Sequence, residues 1–199
     1  DVDDPHGPLH IPCDLLAVGY GLVPNVELAS MLGCALDHTR IHPCVRVDTL
    51  LRTSTANVYA AGESCGIAGL AAARIEGSMA GHAAAGFPAA ATALLPSRQR
   101  ARRFADLLAQ HFALDARTRT LAGADTIICR CEDVTLAALD GFTDARAARL
   151  ATRCGMGACQ GRICGTTLAE LDRFPHGGTR PPLFPARLAT LATGDPSTP

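Results

Sequence analysis

Cys129-Arg130-Cys131-Glu132-Asp133-Val134-Thr135, answered by Cys154-Gly155-Met156-Gly157-Ala158-Cys159-Gln160-Gly161-Arg162-Ile163-Cys164, is the stretch on which the fold turns. It places five thiols within thirty-six residues as C-x-C followed by C-x4-C-x4-C. Core cysteines are not ordered this way, and the arrangement reads as a metal site. Thiolate is a soft ligand that selects zinc, copper(I) or an iron–sulfur cluster. Structural zinc is usually gripped by C-x2-4-C knuckles. Here the first pair is tighter and the later thiols come every fifth residue, which favours iron. A helix is expected from Thr135, and a glycine-rich turn after Cys159 leads to another near Gly165 to Phe174. Thiols at such helix starts meet free backbone N–H groups and the positive end of the dipole, which suits an anionic cluster.

Residues Ile128 to Gly165 resemble the [2Fe-2S] domain related to bacterioferritin-associated ferredoxin. That domain occurs near the C-terminus of FAD-dependent subunits of opine oxidases, hydroxyproline and proline dehydrogenases, and hydrogen cyanide synthase. The resemblance implies that C-x-C and G-M-G-x-C-Q-G-x-x-C supply the ligands, here Cys129, Cys131, Cys159 and Cys164. Cys154 is then the spare thiol, although the sequence also allows it in place of Cys164. The expected cluster domain spans 123–176. Within it a second helix is expected over Thr143 to Arg153 with Thr143 as N-cap, and Arg130, Arg153 and Arg162 are expected to offset the cluster's charge.

Working outward, the chain has 199 residues, enough for one or two domains with a buried core. All of its 18 basic residues are Arg, and the net charge of −1 excludes a large electrostatic footprint for nucleic acid. Nine cysteines without a secretory segment point to a reducing compartment. The expected location is the cytoplasm, with association at the inner face of the membrane left open. The most apolar region, Val58 to Phe87, is interrupted by Glu63, Arg74 and Glu76 and is not a transmembrane segment. The chain opens at Asp1 without an initiating Met, so an N-terminally incomplete protein, inactive alone, is expected.

Upstream of the thiols, Leu15 to Val18 reads as a buried strand ending at Gly19 and Gly21. A short helix over Val26 to Leu32 follows, with Asn25 as N-cap and Gly33 as stop. Gly19-x-Gly21 lacks the third glycine and the acidic residue of a dinucleotide fingerprint. Arg46 to Ser54 reads as strand and turn, Val58 to Glu63 as a β-rich run, and Gly66 to Ala85 as a small-residue helix after Gly66 and Gly69. A carboxylate placed between a strand and a helix N-terminus can accept hydrogen bonds from a sugar-like hydroxyl chain.

This region resembles the last FAD-contacting segment of two-dinucleotide-domain flavoproteins, in which V-Y-A-x-G-D binds the ribityl chain. The resemblance implies FAD contacts for Gly62, Glu63, Gly66, Ile67 and Gly69, with Glu63 standing where the larger group has Asp. Cys65 and His82 are expected to be packing or surface residues. Residues 1–88 are accordingly expected to be the C-terminal part of an α/β FAD/NAD(P)-binding domain, and 89–122 a helical connector. In the connector Ala84 to Ser97 is an Ala/Pro stretch. The helix from Arg98 to Phe112 is expected to bury Phe104, Leu108 and Phe112 and to hold its four arginines on a solvated or domain-docking face. Residues 177–199 read as an extended Pro-rich arm. The combined resemblance implies an FAD- and [2Fe-2S]-containing oxidoreductase subunit for CH–NH or CH–NH2 donors, paired with a second flavoprotein subunit. The rival is a binding module in which the thiols hold structural zinc or a ferredoxin-like cluster.

Overall fold

The computed structural model describes residues 2–4, 6–39, 42–175, 183, 187 and 188. Strands β1 (Val2–Asp4) and β2 (Gly7–Leu9) precede helix α1 (Glu27–Met31), β3 (Leu36–Asp37) and β4 (Cys44–Val45). Helices α2 (Gly69–Ala84), α3 (Pro88–Ala93) and α4 (Leu95–His111) follow, then β5 (Ile127–Cys129), β6 (Val134–Thr135), α5 (Ala145–Thr152) and α6 (Cys164–Glu170). The strands pair in sequence order as three separate antiparallel ribbons. The described residues thus form a mixed, mainly helical fold, and no parallel sheet is found among them.

The segment expected to be a buried strand departs most from the sequence reading. Residues 15–18 form no strand, and Leu15 and Leu16 are 92% and 79% exposed. Leu15 to Val18 is apolar on both faces, the pattern of a strand covered on each side by other layers, and no described residue supplies such layers. Beyond it, α1 is one residue shorter at each end than expected. Val26 takes the N-cap position, while the Asn25 side chain accepts a hydrogen bond from the Glu27 N–H at 3.3 Å. Gly33 ends the segment with φ +74°.

Residues 58–63 carry less strand than expected. They contribute one antiparallel bridge, Arg52 to Tyr59, before a 3-10 turn over Gly62–Cys65. The region's core is Leu51, Met79, Ala83 and Ala91, with Val47 and Tyr59 packed against it. The Ala/Pro connector is itself helical. Pro88 and Pro96 sit in the first turns of α3 and α4, where a missing N–H costs no hydrogen bond.

Helix α4 forms as expected but turns a different face inward. Ala105 is buried with Ala68 and Ala72, and Ala101 packs beside them, whereas Phe104 and Phe112 are exposed. The cause is one carboxylate. Glu76 of α2 is fully buried and accepts from Arg98 Nε at 2.8 Å, Arg102 Nε at 2.6 Å and the Gly62 N–H at 2.9 Å. Leaving that charge unpaired would be costly, and satisfying it requires the Arg98/Arg102 side of α4 to face α2. Two of the four arginines therefore dock this helix within the chain.

The second region closes its own core from Ile128, Val134, Leu139, Ala148, Leu168 and Phe174 around Cys129, Cys154 and Cys164. The helix expected from Thr135 is instead β6 followed by a 3-10 turn over Ala137–Leu139. Thr135 is held in the ribbon opposite Ile127, which prevents a helix from starting there. Asp144, not Thr143, caps α5, accepting from the N–H groups of Arg146 and Ala147. The two regions are joined by Arg162 to Glu27 at 3.0 Å and His42 to Glu170 at 3.2 Å. Apart from residues 183, 187 and 188, the Pro-rich arm expected over 177–199 lies outside the described residues.

Candidate functional site

The thiols are brought together by three short pieces of backbone. Strand β5 ends at Cys129, which faces the core, and the chain then turns through Cys131 and Asp133 into β6. Asp133 has φ +51°, an αL position that Asp tolerates well. Helix α5 stops at Arg153 in the αL conformation, so Cys154 leaves the helix directed inward. The loop from Gly155 to Ile163 delivers Cys159 and returns to place Cys164 as the first residue of α6. Gln160 stitches the loop, its Nε2 donating to the Gly157 carbonyl at 2.9 Å.

Within this frame the Sγ atoms of Cys129, Cys154 and Cys164 all lie within 4.8 Å of one another, and all three residues are buried. Cys131 is exposed and Cys159 half-buried, and the Cys131 thiol lies close enough to Cys159 to help lower its pKa. The five cysteines thus fall into a buried trio and an outer pair. Gly157 is what allows the outer pair to sit where it does: a Cβ at this position would lie 2.2 Å from the Cys131 Cβ and 3.3 Å from its Sγ.

Backbone donors divide the thiols by acidity. Burial pushes Cys129 up, but N–H groups of Gly155, Glu132 and Cys131 outweigh it and leave its pKa below the usual thiol value. Burial likewise opposes the lowering at Cys159, where the Ile163 N–H, the Cys131 thiol and the N–H groups of Gly161 and Arg162 prevail. Cys154 is raised by burial and by Cys129, and Cys164 is pushed up to about 12 by burial and by Cys154 and Cys129. Clustered N–H groups aimed at sulfur are the donors that stabilise an anionic sulfur centre.

The arginines expected to offset cluster charge are largely committed elsewhere. Arg153 pairs with Glu132 at 2.7 Å, tying the two cysteine loops together. Arg162 pairs with Glu27 and donates to the Cys159 carbonyl at 3.0 Å. Arg149, which the sequence reading did not single out, contributes positive charge at Cys154. It lies on α5 just ahead of the thiol, a helical spacing that could have pointed to it.

The residues expected to contact FAD, Gly62, Glu63, Gly66, Ile67 and Gly69, gather in the 3-10 turn and at the N-terminus of α2. Gly62 has φ +76°, and a Cβ there would meet the Ala73 Cβ at 3.3 Å, so both conformation and packing call for glycine. The Glu63 carboxylate turns back to the helix, Oε1 accepting from the Gly69 N–H at 2.8 Å and the Ala68 N–H at 3.4 Å. Cys65 is buried, which pushes its thiol up to about 11, and His82 is exposed. Glu76, which anchors the Gly62 N–H from α2, was not anticipated. An acidic residue within an Ala/Gly helix was the available signal.

The chain is 35% identical to an opine oxidase subunit of Rhizobium meliloti, over 92% of this chain and 39% of that protein. It is 32% identical to the corresponding opine oxidase subunit of Agrobacterium tumefaciens (strain Ach5), over 94% of this chain and 42% of that protein. The chain is a relative of these oxidase subunits. It is also 33% identical to the HcnB subunit of hydrogen cyanide synthase from Pseudomonas aeruginosa, over 77% of this chain and 36% of that protein. The chain therefore spans well under half the length of these relatives. The relationship accords with the resemblance drawn from the cysteine motifs. No family model matches the chain, and no solved structure matches it.

Proposed function

We propose that the chain is the cluster-bearing part of an oxidoreductase subunit that relays electrons from an amino acid, imino acid or opine, a CH–NH type donor, to an acceptor. Cys129, Cys131, Cys159 and Cys164 hold a [2Fe-2S] cluster, and residues 1–88 belong to an FAD/NAD(P)-binding domain whose Gly62–Gly69 turn contacts FAD in the complete protein. The observation that carries this reading is the buried gathering of Cys129, Cys154 and Cys164 within 4.8 Å of one another, with the Gly155 N–H on Cys129 Sγ and the neighbouring pair Cys131 and Cys159 in the same small domain. A bound [2Fe-2S] cluster passes single electrons, whereas FAD exchanges two as a hydride.

The chain's own residues prepare both sites. The Gly155 N–H reaches Cys129 Sγ at 3.5 Å and stabilises negative charge on that sulfur. Arg162, on the cysteine loop, grips Glu27 of α1 and holds the cluster domain against the flavin-type region. At the turn, Glu63 uses Oε1 to hold the start of α2, leaving Oε2 for a sugar-like hydroxyl. Oxidation of the amine itself is assigned to a second flavoprotein subunit, in keeping with the names of the relatives, which are themselves subunits. Among the described residues no helix is long and apolar enough to cross a membrane.

Iron, acid-labile sulfide and zinc analysis of anaerobically purified protein, with a visible spectrum, tests the reading. About two irons and two sulfides per chain, with colour that bleaches on dithionite, is the expected result. About one zinc and no colour, unchanged by anaerobic reconstitution with iron and sulfide, overturns it in favour of a structural clip. Cys159→Ser is expected to abolish the cluster, and full cluster retention in that variant would remove the ligand assignment.

A further inference from the structure

The proposed cluster uses four of five thiols, and the one left over does not stand apart. Cys154 is 2% exposed, with its Sγ within 4.8 Å of those of both Cys129 and Cys164. Cys131 and Cys159 lie outside that trio. Each member of the trio comes from a different piece of backbone: the end of β5, the turn after α5 and the first residue of α6. We propose that Cys129, Cys154 and Cys164 form a second metal-binding site, a three-thiolate site for one copper(I) ion, which fills when the iron–sulfur cluster is absent. Because Cys129 and Cys164 serve both sites, the two occupants exclude each other.

Three features of the trio select the ion. Thiolate favours soft cations, among which copper(I) accepts three ligands while structural zinc almost always takes four. In a planar three-thiolate site with metal–sulfur bonds of about 2.3 Å, the sulfurs stand about 4 Å apart. The observed trio, with each Sγ within 4.8 Å of the other two, is close to that spacing. The surroundings are apolar, with Ile128, Val134, Leu139, Leu168 and Phe174 in the same core. The adjoining cavity, lined in part by Cys154, Cys164 and Leu168, is about 20 Å³, space for about one water. That space beside Cys154 and Cys164 leaves no room for a hydrated ion, so the ion taken is a bare one held between the three sulfurs. Charge is supported locally by the Gly155 N–H on Cys129 Sγ and by Arg149 beside Cys154. On coordination each thiol releases its proton to solvent, and copper stays in the +1 state, so no oxidant or reductant is needed.

The test uses the full chain, stripped of iron anaerobically and titrated with copper(I) against a colorimetric copper(I) chelator. Iron and sulfide loading of the same variants is measured in parallel. The unsubstituted chain should withdraw one copper(I) from the chelator and develop ultraviolet thiolate-to-copper absorption. Cys154→Ala should weaken copper(I) binding by more than the roughly 10–100-fold that loss of an outer-shell partner costs, while still loading iron and sulfide. Cys131→Ser should do the reverse, losing the cluster and keeping copper(I). Far-ultraviolet circular dichroism checks the fold of each variant, and Cys154→Ser replaces Cys154→Ala if the latter does not fold.

Failure to compete for copper(I) would make the trio ordinary core packing and overturn the proposal. So would equal weakening by Cys131→Ser and Cys154→Ala, which would mean that copper occupies the cluster ligands. Loss of iron from Cys154→Ala would make Cys154 a cluster ligand and also overturn the separate site. Copper(I) binding that depends on Cys154 in a chain that never loads iron supports the three-thiolate site and sinks only the cluster reading.

Discussion

Residues 9–23 and residues 127–174 are both rich in apolar side chains, yet the first stretch remains exposed while the second folds upon itself. Leu15, Leu16 and Leu22 face solvent, whereas Ile128, Leu139, Leu168 and Phe174 share one core. The difference lies in connectivity. The cysteine-bearing stretch follows two short paired strands with two short helices, so each apolar face meets another nearby in sequence. The earlier stretch is apolar on both sides and needs neighbours from elsewhere on each. Hydrophobic content alone therefore does not decide burial, because contact also requires partners that the local chain can bring.

The sharpest test of this contrast is a pair of glycine substitutions. Gly157→Ala is expected to remove most of the bound iron and sulfide, because its Cβ would enter the space of Cys131. Gly19→Ala, with nothing within 4 Å of the added Cβ, is expected to leave loading unchanged. Metal analysis of the two variants checks this, and equal loading would show that the outer thiol pair is not held by close packing.

Glu76 is the fully buried charge of the earlier region, and its removal comes next in size. Glu76→Ala strands Arg98 and Arg102 and is expected to cost about 3–5 kcal/mol in urea denaturation. Burial alone would raise this carboxyl, but Arg102, Arg98 and the Gly62 N–H hold its pKa below the usual 4.5. Its contribution is thus complete above pH 4.5 and is lost as pH falls through the depressed native value. Glu76→Gln should flatten that acid loss, and an unchanged acid slope would place the sensitivity elsewhere.

The smallest effects separate the two stretches most directly. Leu139→Ala, at a fully buried position, is expected to cost about 2–5 kcal/mol. Leu16→Ala is expected to change stability by no more than about 0.5 kcal/mol. Comparable losses at the two sites, measured by urea midpoints, would mean that residues 9–23 are packed in solution.

Much of the helical framework was legible because its signals are local. The small-residue run after Gly69, the position of α4 and the glycine stop at Gly33 follow from composition and backbone freedom over a few residues. Thr135 misled because a pairing eight residues away, with Ile127, overrides its capping tendency. Phe104 and Phe112 misled because the inward face of α4 is set by a carboxylate on another helix.

The same division holds at the candidate site. By itself the sequence determined that five thiols cluster in order, that glycines punctuate their loops and that a glycine-acid turn precedes α2. Only the tertiary structure decided that Cys154 joins Cys129 and Cys164, that Cys131 neighbours Cys159, and that Glu63 turns one oxygen back to α2. Spacing along a chain limits which groups can meet. Which of them do meet is settled by the directions in which strand ends, helix caps and loops release their side chains, and those directions depend on packing between elements far apart in sequence.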